Sequence, residues 1–155
     1  MTIRRAENRD INAVLNLLSQ ILEIHAIMRP DLFKSGTRKY TADELEQIFK
    51  DKTRPVFVAD DMGKVVGYCF CQIQEITHSN NLRESRSLFI DDLCVDENCR
   101  HKHVGSLLYD YVASYARSIG CYDIILYLWE GNDTARKFYD SKGFTPRKTM
   151  MEKLL

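Results

Sequence analysis

Two stretches of this 155-residue chain carry residue types in an order that could do chemistry. The first is Leu93-Cys94-Val95-Asp96-Glu97-Asn98-Cys99-Arg100-His101-Lys102-His103-Val104-Gly105-Ser106. It reads as the end of a strand, a short polar turn and the start of a long helix. The first turn of a helix offers unpaired backbone N–H groups and the positive end of its dipole. With Arg100, Lys102 and two imidazoles around it, that turn predicts a cradle for phosphate groups. Gly105 would let a ligand approach the backbone closely. Neither a Walker loop nor a Rossmann G-x-G-x-x-G is present, and a basic, solvated helix start is the plain alternative. The second stretch is Asn132-x-x-Ala135-x-x-Phe138-Tyr139-x-x-x-Gly143-Phe144, downstream of a further strand.

Asp91 and Asp92 stand in the middle of an apolar strand, where ionised carboxylates are costly unless they face a cleft. Strict alternation puts Asp91 on the face of Phe89 and Leu93, and Asp92 on that of Ile90 and Cys94, unless a bulge intervenes. Glu75, on the neighbouring strand, is a reserve carboxylate. No metal site is expected. Cys69-x-Cys71 lies in an apolar run and reads as core, and His101-x-His103 has no second pair of ligands nearby in sequence.

These residues need a scaffold, and the pattern predicts one. Residues 2–6 read as a strand. Asn8 or Asp10 caps a helix with Ile11, Val14, Leu15, Leu18, Ile21 and Leu22 on one stripe. Thr41-x-x-Glu44 is a capping box opening a helix over about 41–50. Val56–Ala59, a turn at Asp60–Gly63 and Val65–Ile76 form a hairpin, and Ser87–Val95 a third long strand. Residues 102–119 carry a helical stripe ending at Gly120. A strand over Asp123–Trp129, a short helix from Asn132 to Lys142-Gly143 and a last strand from Phe144 complete the order. The order β-α-α-β-β-β-α-β-α-β implies an α/β or α+β fold in a single domain, residues 1–155, with an antiparallel core and one crossover.

Composition narrows the function classes. The chain is 45% hydrophobic and 28% charged, with 22 basic and 22 acidic residues, which excludes disordered and collagen-like chains. That balance creates no field to recruit nucleic acid or an anionic membrane. No apolar run is expected to reach the roughly 18 residues that span a bilayer, and the amino terminus lacks a signal-peptide pattern. Five cysteines, an odd number, fit a reduced, cytoplasmic setting. Trp129 and the tyrosines at 109, 111, 115, 122 and 127 fit the core or a homodimer contact better than base stacking.

Taken together, Leu93-x-Val95, Arg100-x-x-His103-x-Gly105 and Asn132 through Phe144, behind the opening Ile3-Arg4-Arg5-Ala6, resemble the GNAT superfamily of acetyl-CoA-dependent N-acetyltransferases. The resemblance covers nearly the whole chain and implies a mainly antiparallel sheet with a splayed parallel strand pair at the cofactor site. In the family motif Q/R-x-x-G-x-G/A, Arg100 takes the first place and Gly105 the last. The amides of Lys102, His103, Val104, Gly105 and Ser106 would hold the pyrophosphate of acetyl-CoA, the implied co-substrate. His103 replaces the middle glycine, and with helical backbone angles it would still donate its N–H. Val95 would bond the pantetheine arm, the Leu93 N–H would face the acetyl carbonyl, and Asn132 would contact the cofactor from the neighbouring strand end. Tyr139 falls where similar enzymes keep a tyrosine general acid. The run Phe89 to Val95 looks like polyamine acetyltransferases, which implies Asp91 as the base.

The expected activity is acetyl transfer to a primary amine, with a small cationic molecule as acceptor, by direct attack in a ternary complex. Acetylation of a protein amino terminus or lysine, and a non-catalytic acyl-CoA sensor, are the alternatives. Acceptor specificity falls to residues 23–40 and the 77–86 loop, with His25, Asp31, Phe33, Tyr40 and His78 as candidates.

Overall fold

A computed structural model describes residues 1–155. Its elements are β1 (Thr2–Arg5), α1 (Ile11–Met28), α2 (Ala42–Lys50), β2 (Val56–Asp61), β3 (Lys64–Ile76), β4 (Ser85–Val95), α3 (Val104–Ser118), β5 (Asp123–Leu126) and α4 (Asp133–Ser141). The five strands form one sheet in the order β1-β2-β3-β4-β5. The first four are antiparallel, and β4 and β5 run parallel, joined through α3. This is the mixed, mainly antiparallel sheet flanked by helices that the sequence implied.

Each face of the sheet closes a core. Val14, Leu17 and Leu18 of α1 and Leu45 and Ile48 of α2 pack on Val56, Val58, Tyr68 and Phe70. On the other face Val104, Leu108 and Val112 of α3 pack on Phe57, Cys69, Cys71, Leu88 and Ile90. Gly67 sets how closely α3 lies. A Cβ there would stand 2.9 Å from the Cys94 carbonyl oxygen and 3.1 Å from a Leu108 methyl. The α2 capping box forms as expected, with the Thr41 N–H donating to Glu44 at 2.7 Å and the Glu44 N–H to Thr41 Oγ1 at 3.3 Å.

Several boundaries differ from the sequence reading. Asp10 does not cap α1 through its side chain. Its buried carboxylate accepts from the Glu7 N–H at 2.8 Å and from Arg4 at 2.7 and 2.9 Å. The hairpin turn is tighter, with Met62 and Gly63 both at positive φ, the geometry that suits the strand twist. β5 ends at Leu126 rather than Trp129. The expected last strand does not form: Phe144 packs on the rings of Tyr109 and Tyr139, and residues 145–155, with Pro146 lacking an N–H, have no regular structure. The stretch Asn8–Met28 is also long and apolar enough, at mean hydropathy 1.4, to cross a membrane by length and composition. That corrects the expectation that no such run exists, although its buried residues here pack on the sheet.

Candidate active site

The site begins where the parallel strand pair separates. β4 and β5 are in register from Ser87 with Asp123 to Ile90 with Leu126, and there the pairing stops. β4 runs on to Val95, still paired with β3. A bulge marks the point of separation: Cys71 pairs with Ile90 and Phe70 with Asp92, leaving Asp91 as the extra residue. Beyond it the β4 backbone is open on its β5 side. Asp96 donates its N–H across β3 to Val66, so alternation turns the Leu93 and Val95 amides toward the opening.

The bulge rearranges the faces that strict alternation predicts. Leu93 and Val95 join Ile90 on the α3 side, while Cys94 lies in the core on the α1 side. Asp91 and Asp92 both reach groups of the α1 and α2 face. Asp91 Oδ2 accepts from Lys39 Nζ at 2.7 Å and from Tyr40 Oη at 3.0 Å. Asp92 Oδ2 accepts from Tyr68 Oη at 2.7 Å. Burial pushes the Asp92 carboxyl up to about 6, opposed by the Tyr68 hydrogen bond, the Lys39 ammonium and the Leu93 N–H. Asp92 therefore sits beside the amide expected to face the acetyl carbonyl, with a proton affinity suited to proton transfer near neutrality. Sequence reasoning singled out Asp92 beside Asp91 but gave it no role and missed its partner Tyr68, because both follow from the bulge register.

Tyr139, on α4, packs its ring against Phe138 and Phe144 at 5.2 and 5.3 Å. Burial raises the pKa of its hydroxyl, and Cys69, Asp92 and Cys71 nearby raise it further. Those neighbours put the phenol at the same end of the sheet as the bulge. Glu75 is not brought there. It pairs with Arg86 at 2.7 Å toward the far end of the β3–β4 ladder. Cys94 lies buried against α1, its thiol pushed up to about 12 by burial.

The α3 terminus lies on the other side of the opening. His101 and His103 both have left-handed backbones, with φ of 63° and 61°. This corrects the expectation of helical angles at His103: the position requires what glycine supplies freely. The helix proper starts one residue later, at Val104, so a left-handed residue precedes a right-handed one, an anion-binding nest. The N–H groups of Lys102 through Ser106 donate to no oxygen of the protein. A row of unpaired amides at the positive end of a 15-residue helix fits a pyrophosphate. A Cβ at Gly105 would meet Phe138 and Val95 at 3.7 Å, ordinary van der Waals contact, so packing alone does not require glycine there. Asn132 caps α4, its Oδ1 accepting the Ala135 N–H at 3.1 Å, which leaves its amide nitrogen free.

Of the residues expected on the acceptor side, His25 and Phe33 come together and Tyr40 packs on the sheet. Tyr40 stacks near Phe70, and His25 and Phe33 lie together at 5.1 Å, with Phe33 edge-on to Trp129 at 5.4 Å. Trp129 is thus a wall of this end of the molecule rather than a core residue. Asp31 is taken up by Arg29 at 2.7 Å, and His78 stands on the polar loop after β3. No three His, Cys, Asp or Glu side chains come together in a way that would hold a metal ion.

Comparison with known proteins gives a consistent picture. Residues 21–144 match the family model described as Acetyltransferase (GNAT) family. The chain is 26% identical over 147 residues to the Bacillus subtilis (strain 168) protein named "Putative phosphinothricin acetyltransferase YwnH", covering 93% of this chain and 83% of that one. It superimposes on a tetramutant of the BH1408 protein from Bacillus halodurans with a TM-score of 0.95, at 28% identity and full coverage of both chains. An aminoglycoside N-acetyltransferase in complex with CoA shares the fold, with a TM-score of 0.72 at 17% identity, over 99% of this chain and 100% of that one.

Proposed function

Because the chain belongs to the GNAT family of acetyltransferases, we propose that it moves an acetyl group from acetyl-CoA to the primary amine of a small cationic molecule, within a ternary complex. Residues 1–155 act in this reading as one domain. The observation that carries it is the opening between β4 and β5, which has the unpaired amides of the α3 terminus on one face and Asp91 and Asp92, with the Tyr68 hydroxyl, on the other. An aminoglycoside, the substrate in the name of one structural neighbour, is itself a small polyamine, which supports a cationic acceptor.

When bound, acetyl-CoA supplies an acetyl group already activated as a thioester. The amides from Lys102 to Ser106, with Arg100 beside them, hold the pyrophosphate, and the Val95 backbone pairs with the pantetheine arm. Asn132 keeps its amide nitrogen for the cofactor. The Leu93 N–H stands where negative charge grows on the acetyl oxygen as the amine attacks. The sequence implies Asp91 as the base; in this reading that task passes to Asp92. Asp91 holds the acceptor as an ammonium, and Asp92, with its carboxyl near 6, takes the proton that frees the nitrogen lone pair. Tyr139 returns a proton to the departing sulfur, its phenol being protonated at neutral pH.

Initial rates measured while both substrates vary test this order of events. Intersecting double-reciprocal lines are expected for attack within a ternary complex. Parallel lines, together with acetyl transferred to the protein in the absence of amine, would replace it with an acyl-enzyme route.

A further inference from the structure

The irregular segment between α1 and α2 lies over the acceptor end of the sheet. Phe33 touches Trp129, and Tyr40 stands over Phe70. From this segment Lys39 places its ammonium 2.7 Å from Asp91 Oδ2, the oxygen that also accepts from Tyr40. Arg54 in turn donates to Tyr40 Oη at 3.3 Å. The carboxylate that would hold an acceptor's ammonium therefore already carries one. The Lys39 head group is a primary alkylammonium, the same chemical group as that of the acceptor. Its side chain is 41% exposed against 16% for Asp91, so the lysine can swing into solvent while the carboxylate stays in place.

The two carboxylates are not equivalent in this respect. Asp92 is held by a neutral phenol, whereas Asp91 is neutralised by the chain itself. We propose that Lys39 is a specificity-determining residue: a tethered ammonium that keeps the place of the acceptor's second amino group on Asp91. An acceptor with two amino groups puts one at Asp92 and the other at Asp91, displacing Lys39. A monoamine reaches Asp92 alone and leaves the Lys39 pair intact. The inference rests on the acceptor end proposed above and names the acceptor class as a diamine or polyamine.

Lys39→Gln removes the competitor and keeps a polar side chain of similar length. A partly exposed ion pair shifts an equilibrium by roughly two- to fivefold. KM for putrescine should fall by about that factor in the variant, while KM for butylamine and for acetyl-CoA moves less. Lys39→Arg, which keeps the charge, should resemble the parent protein. Calorimetric binding of putrescine without acetyl-CoA should tighten in the same way, a readout that needs no turnover. An unchanged or raised KM for putrescine in Lys39→Gln overturns the proposal. So does a raised KM confined to γ-aminobutyrate, which would make Lys39 a ligand for an acceptor carboxylate. If the parent protein turns over no amine and yet Lys39→Gln binds putrescine more tightly, the catalytic reading fails and the Lys39 competition stands. Turnover of amines with no change in putrescine binding or KM gives the converse.

Discussion

Asp92→Asn should abolish most of the activity and at the same time stabilise the protein. Holding this carboxyl up at about 6 rather than at its ordinary 3.8 means that the folded chain binds the Asp92 proton more tightly than the unfolded chain does. Below 3.8 both states are protonated and the effect vanishes. As the pH rises through the interval up to about 6, stability falls, and above that the whole cost is present. At 1.36 kcal/mol for each pH unit of difference, the cost is about 3 kcal/mol at pH ~7.5 and about 1 kcal/mol at pH ~4.5. Asparagine is neutral and still accepts the Tyr68 hydroxyl, so the variant escapes most of that cost. Its added N–H donors need partners in a half-buried place, which lowers the expected gain to about 1–3 kcal/mol at neutral pH. For a chain of this size that corresponds to a Tm higher by roughly 3–10 °C. Thermal unfolding of both proteins at the two pH values is the assay, alongside initial rates. The rate of the parent protein should fall about tenfold between pH ~7 and pH ~5 as Asp92 takes up its proton. A variant less stable than the parent at neutral pH, or a stability gap that does not shrink in acid, would refute the reasoning. It would mean that Asp92 is ionised at no cost and is an ordinary partner of Tyr68.

Tyr139→Phe should lower kcat by about 10²–10⁴ with acetyl-CoA affinity retained, as measured by steady-state rates and calorimetry; an unchanged kcat would move the proton donor to water. His103→Gly should relieve the left-handed backbone and stabilise by about 1 kcal/mol, less the chain entropy that glycine adds, read from denaturant midpoints. A loss of stability there would show that the His103 side chain makes up for its own strain. Gly67→Ala should destabilise by about 1–3 kcal/mol, because the methyl group collides with the Cys94 carbonyl and lifts α3 from the sheet. A neutral result would show that α3 adjusts freely.

What could be read from the residues divides along physical lines. Local signals carried their elements: Thr41 and Glu44 placed the start of α2, and the apolar stripes placed α1 and α3. Order and spacing also located the β4 end and the α3 terminus, since a strand, a polar turn and a helix start are consecutive in the chain. The bulge at Asp91 was not legible. No glycine marks it, and it exists only as a register between β3 and β4. With it went the roles of Asp92 and Tyr68 and the side of the sheet on which each carboxylate lies. Lys39 belongs to a segment without periodicity, and what it meets is decided by tertiary packing across 52 residues. The left-handed turn at His103 carried a signal, the place of a motif glycine, yet a histidine there reads as helix until the backbone is seen. The expected strand after α4 failed for a related reason: strand-like composition from Phe144 onward does not supply a partner, and Phe144 is spent on Tyr109 and Tyr139.

The central claim is that the opening between β4 and β5 transfers acetyl groups to amines. Free-thiol release from acetyl-CoA by the purified protein tests it most directly, against a panel of polyamines, aminoglycosides, amino acids and short peptides. Release stimulated by the polyamine or aminoglycoside class, with the acetylated amine identified by mass, is the predicted result. Release stimulated only by peptides would contradict the small cationic acceptor, and no release from any amine would contradict the claim itself.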